Sequence, residues 1–153
     1  MRSLENRIPP PIVASIFWAL MLIASVYVPG IEARGNWHVV TAVVVVALGA
    51  FFCLAGVISF RRANTTVNPL KPRTASSLVA SGIYQYSRNP MYLGFTLFLL
   101  AWAIYLVSPA ALLGVAGFVL YMNRLQIAPE ERALESLFGP EFIAYKARVR
   151  RWL

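Results

Sequence analysis

Between Gly82 and Gly94 the chain reads Gly-Ile-Tyr-Gln-Tyr-Ser-Arg-Asn-Pro-Met-Tyr-Leu-Gly, and at 129–131 it reads Pro-Glu-Glu. These two stretches gather a guanidinium, an amide, phenols and a pair of carboxylates within a chain otherwise poor in reactive groups. There is no aspartate, and His38 and Cys53 are the single histidine and cysteine. That composition leaves no zinc site of the usual kind, no Ser-His-Asp triad and no intrachain disulfide. Any chemistry must therefore run on Glu, Arg, Tyr, Asn and a cofactor. A second reading of the same residues is architectural. Asn89-Pro90 suits a helix cap and first turn, and Pro129 followed by Glu130 and Glu131 suits a helix start and its dipole. Arg88 suits a headgroup anchor and Gly94 a close contact between helices. Spacing alone leaves both readings open.

The elements that must position these groups are set by hydropathy. The 153 residues are 59% hydrophobic with a mean hydropathy of +0.64, an apolar excess that must face lipid. Four apolar stretches, about Pro11 to Val28, Val39 to Phe60, Pro90 to Val107 and Pro109 to Met122, are expected to be transmembrane helices, because lipid leaves the backbone no other hydrogen-bond partner. The fold expected is all-α, an integral membrane helical bundle in a single domain. Two N-terminal helices occupy 1–60, and a loop, a helical hairpin and C-terminal helices occupy 61–153. Ser108 and Pro109 alone separate the third and fourth helices, so these form a tight hairpin. The hairpin returns the chain to its starting side, where Arg88 and the glutamate pair meet despite their separation in sequence. Trp102 is expected to pack between helices.

Of fourteen Lys and Arg residues, thirteen fall before the first helix, in the second loop or in the tail; Arg34 alone lies elsewhere. The positive-inside rule places both termini in the cytoplasm, and the clustered charge suits anionic lipid headgroups rather than nucleic acid. Pro9, Pro10 and Pro11, with no small-x-small cleavage pattern, speak against a cleaved leader. The second loop, 61–89, is long for a connection without function; Leu70, Leu78 and Tyr84 anchor it, and Pro69 and Pro72 stiffen it. After Met122 the pattern turns amphipathic, and Gly139-Pro140 divides it into helices over Pro129 to Phe138 and Pro140 to Trp152.

Taken together, Gly-x-Tyr ending at Tyr84, Arg88-Asn89-Pro90-Met91-Tyr92-Leu93-Gly94, a hydrophobic hairpin and then Glu130-Glu131 closely resemble the isoprenylcysteine carboxyl methyltransferase and phospholipid methyltransferase superfamily. The likeness runs over about residues 64 to 151, with Thr65 to Pro69 leading in and Phe138, Gly139 and Tyr145 trailing. It implies a membrane-embedded enzyme using S-adenosyl-L-methionine, without metal and without a Rossmann domain. It also implies a cofactor site at Tyr84, Arg88, Asn89, Pro90, Tyr92, Gly94, Glu130 and Glu131, with Arg88 and Glu131 the catalytic pair. A glutamate would meet the cofactor ammonium, and Arg88 its carboxylate or an anionic substrate. Where eukaryotic carboxyl methyltransferases usually carry histidine, this chain has Asn89, which cannot titrate. The implied substrate is lipidic or membrane-partitioned, an isoprenylcysteine-like carboxylate or a phospholipid amine. A related NADPH-dependent sterol reductase and a noncatalytic membrane partner are the other readings. Oligomeric state and methyl acceptor are not written in these residues.

Overall fold

The computed structural model describes residues 7–28, 30, 32, 35–63 and 77–153. The expected loop anchors Leu70, Pro69 and Pro72, the lead-in Thr65 to Pro69, and Arg2, Arg34, Lys71 and Arg73 lie outside them. The described residues form an all-α membrane bundle: α1 (Pro10–Tyr27), α2 (Trp37–Arg62), a 3-10 turn (Gly82–Gln85), α3 (Pro90–Leu106), α4 (Pro109–Tyr121), a π-helical segment (Met122–Ile127), α5 (Ala128–Phe138) and α6 (Pro140–Arg148). Prolines at the first helical turns of α1, α3 and α4 start those helices where the missing N–H costs nothing.

In cross-section α3 is the centre. It packs most extensively on α2, and on its other side meets α1 and α4, which also pack on each other. Small residues make the α2 contact possible: Ala42, Gly49 and Gly56 are buried on α2 at seven-residue intervals and turn one stripe toward α3. With lipid outside, close backbone approach rather than hydrophobic exclusion drives such packing. Gly94 is the matching position on α3, where an added Cβ would collide with the Cys53 sulfur and lie 2.7 Å from the Gly49 carbonyl oxygen. Replacing Gly94 with alanine is expected to cost about 1–3 kcal/mol, seen as a lower unfolding midpoint in detergent. The outer faces of α1 and α2 present Ile12, Ile16, Ile23, Val40, Val43 and Leu54, as a lipid-facing surface should.

The main core joins Val13 and Met21 of α1, Leu99 and Ala103 of α3, Phe118 of α4 and Ile127. Trp102 stacks on Trp18, with ring centroids 4.6 Å apart, and donates from its indole N–H to the Trp18 carbonyl, so the expected packing between helices is found.

The principal departure from the sequence reading concerns the fourth helix. It was expected to end near Met122, with a fresh start at Pro129; instead the helix runs unbroken over Pro109–Phe138, 30 residues. This helix, α1 and α2 are long and apolar enough to cross a membrane, and α3, with 17 residues, is shorter. Pro129 would normally clash with the carbonyl of the preceding turn. Here the widened π segment absorbs it, as the Ala128 N–H reaching five residues back to the Asn123 carbonyl shows. After Gly139, α6 turns away as expected, but ends at Arg148 rather than Trp152. Residues 149–152 continue as an extended strap.

Candidate active site

The start of α1, the end of α2, residues 77–79, the 3-10 turn, the start of α3, the long helix and α6 converge. They enclose a cavity of about 410 Å³ whose lining includes Pro9–Pro11, Phe60, Leu78, Tyr84, Arg88, Asn89, Tyr92, Glu130, Glu131 and Tyr145. The lining is largely apolar, and its charged groups, Arg88, Glu130 and Glu131, lie close together.

The segment before α3 is held by specific geometry. Gly82 opens the 3-10 turn at φ +61°, a left-handed conformation suited to glycine, and a Cβ there would lie 2.8 Å from the Ser59 hydroxyl. The turn seats Tyr84 edge-on against Phe60, centroids 5.4 Å apart. The Tyr145 hydroxyl donates to the Tyr84 carbonyl at 2.7 Å. Burial pushes the Tyr145 phenol up, against the opposing pull of the Arg88 cation, so it stays a neutral donor.

Arg88, Glu131 and Arg151 form one ion cluster. Arg88 Nη2 donates to Glu131 Oε1 at 2.8 Å, and Arg151 donates to Oε1 from Nε at 3.1 Å and to Oε2 from Nη2 at 2.6 Å. The Arg88 and Glu131 side chains are only 10% and 11% exposed, that of Arg151 36%. Arg88 also donates to the Lys146 carbonyl. Its Nε–H is buried with no acceptor among the described residues. The strap closes around this cluster: the Arg88 backbone N–H donates to the Arg150 carbonyl, the Asn89 amide to the Arg151 carbonyl, and the Trp152 indole to the Asn123 side-chain oxygen.

Glu130 stands beside this cluster with different partners. Its Oε1 accepts from the Tyr92 hydroxyl and from the Gln126 amide, each at 2.6 Å.

These contacts bear on the helix-cap reading of the motif. Asn89 makes no side-chain cap hydrogen bond. Glu130 and Glu131 lie within a continuous helix, not at a free start whose dipole they would complement. Of the residues implied as a cofactor site, Tyr84, Arg88, Asn89, Tyr92, Glu130 and Glu131 line the cavity. Pro90 and Gly94 are not among its lining; both are buried, and Gly94 lies at the seam with α2. Arg151, Gln126 and Asn123 were missed by sequence reasoning. Arg151 reads there as one of several tail cations, and only the fold returns it to Glu131.

The family profile of phospholipid methyltransferases matches residues 37–141. The chain belongs to that family. The matched span runs from the start of α2 into α6, leaving α1 and the strap outside it. Among individual relatives, 63 residues, 41% of this chain, are 54% identical to the whole of an uncharacterized protein of Haemophilus influenzae. Protein-S-isoprenylcysteine O-methyltransferase B of Arabidopsis thaliana is 26% identical over 124 residues, 81% of this chain and 62% of that protein. The human protein-S-isoprenylcysteine O-methyltransferase is 26% identical over 149 residues, 95% of this chain and 51% of that protein. The chain thus spans under two thirds of the plant and human relatives it matches. No solved structure matches.

Proposed function

We propose that this chain is a membrane methyltransferase that takes its methyl group from S-adenosyl-L-methionine and passes it to a lipidic or membrane-partitioned acceptor, an isoprenylcysteine-like carboxylate or a phospholipid amine. The observation that carries this reading is the meeting of Arg88 with Glu130 and Glu131 in the lining of a largely apolar cavity. Bound there, S-adenosyl-L-methionine would supply a methyl group on a sulfonium, a good neutral leaving group once transfer is complete.

The chain's own groups fit the amino-acid end of such a donor. Glu131 has both oxygens committed to guanidinium groups, so Glu130 is the better match for an ammonium. Arg88 offers a buried Nε–H that lacks an acceptor and so suits a carboxylate. The apolar wall from Pro9–Pro11, Phe60 and Leu78 excludes water and accommodates hydrocarbon. With no base required beyond positioning for a carboxylate acceptor, orientation supplies much of the rate.

Saturating S-adenosyl-L-methionine or its demethylated product is expected to raise the unfolding midpoint of the purified chain, a stabilisation of about 2.7 kcal/mol at a hundred times Kd. NADPH at equal concentration should leave the midpoint unchanged. A shift with NADPH alone would replace the methyl-donor reading with the reductase one. The thirteen clustered basic residues place the cavity on the cytoplasmic side in this proposal. Reporters fused after Ser108 and after Leu153 should accordingly report opposite sides, with Leu153 cytoplasmic, and the reverse orientation would overturn the assignment.

A further inference from the structure

Two donors share one oxygen of Glu130, and the methyl-donor reading does not by itself explain why. Tyr92, on α3, and Gln126, in the π segment, both donate to Oε1 at 2.6 Å. Gln126 is 1% exposed, between the equally buried Met122 and Ile127. A primary amide at such a position costs free energy unless hydrogen-bonded, so an apolar side chain would serve packing better. The π segment is compatible with this, because besides accommodating Pro129 such interruptions of the α-helical ladder are frequent at functional sites.

The terminal torsion of a glutamate is broad and roughly two-fold, so an unrestrained Glu130 would present either oxygen, in varied orientation, to whatever enters the cavity. Two short hydrogen bonds to Oε1, converging from different helices, remove that freedom. We propose that Gln126 is a positioning residue acting with Tyr92: together they fill Oε1 and turn Oε2 toward the cationic group of the bound methyl donor. The inference rests on the reading of Glu130 given above and deepens it. It makes Tyr92 a residue that works through Glu130 rather than through its own contact with the donor. Affinity then depends on an orientation fixed before binding, and losing either clamp restores an ordering cost to the binding step.

The test is a double-mutant cycle read by calorimetric titration of S-adenosylhomocysteine into the full chain in lipid nanodiscs. Gln126→Leu and Tyr92→Phe, each alone, are expected to raise Kd about tenfold. In a Glu130→Gln background, where the charge they orient is gone, neither should weaken binding further. A purely structural role would lower affinity in both backgrounds alike. If Gln126→Leu does not fold, Tyr92→Phe, which keeps the ring, completes the same cycle. Unchanged affinity in the single variants, or losses that add in full to that of Glu130→Gln, would overturn the positioning role. If the unaltered chain does not bind S-adenosylhomocysteine at all, the methyl-donor reading falls and this inference falls with it.

Discussion

Glu130→Gln is expected to weaken binding of S-adenosylhomocysteine about ten- to hundredfold while leaving the unfolding midpoint of the ligand-free chain nearly unchanged. The substitution keeps a side-chain oxygen that can still accept from Tyr92 and Gln126, the two partners it has in the fold. It removes the negative charge and turns the other oxygen into an amide donor. A charge-assisted hydrogen bond to a ligand contributes about 1.5–3 kcal/mol, which corresponds to that range of affinity. Calorimetry beside a melting curve separates the two quantities. Full affinity in this variant would remove Glu130 from the donor site.

Glu131→Gln should behave in the opposite manner, with its main effect on the fold. Glu131 is the single anion between two guanidinium groups and ties the start of α3 and the strap to the long helix. Breaking a buried ion pair from one side typically costs about 3–5 kcal/mol, and here two cations lose their partner at once. The expected result is a markedly lower unfolding midpoint and faster hydrogen exchange over 149–152, even without ligand. Arg88→Ala should share this destabilisation in smaller measure, because Arg151 still holds Glu131, and should also lose donor affinity. Glu135→Gln provides the contrast. Its ion pair to Lys146 is 3.5 Å long between side chains more than 40% exposed, so the change should stay within about 1 kcal/mol. A Glu131→Gln protein as stable as the unaltered chain would show that the cluster does not brace the site.

The helices were legible because apolar runs bounded by prolines and charges have one stable outcome in lipid; α2 at Trp37–Arg62 and α3 at Pro90–Leu106 lie within two residues of the expected limits. The unbroken passage through Pro129 was not legible. Proline followed by two glutamates is the signature of a helix start, and nothing local distinguishes it from a proline absorbed by a π turn. The meeting of Arg88 with the glutamates followed from the hairpin alone. Which glutamate would be bound up by guanidinium groups did not, since that depends on Arg151 returning to claim Glu131. Gly94 shows the converse. A motif shared across a family records close helix packing as faithfully as ligand contact, and residue type does not separate the two.

The cluster of Arg88, Arg151 and Glu131, with Glu130 beside it, sets two guanidinium groups against two carboxyl groups. Its field therefore resembles that of a set of opposed dipoles, falling away quickly with distance instead of drawing one sign of charge from afar. A ligand end carrying ammonium and carboxylate together adds nothing to that balance and can be matched group by group. A dinucleotide phosphate would bring several negative charges to a site whose cations are already answered. Association with the favoured ligand should accordingly depend only weakly on ionic strength, as expected where the partners steer each other by local complementarity and not by net charge.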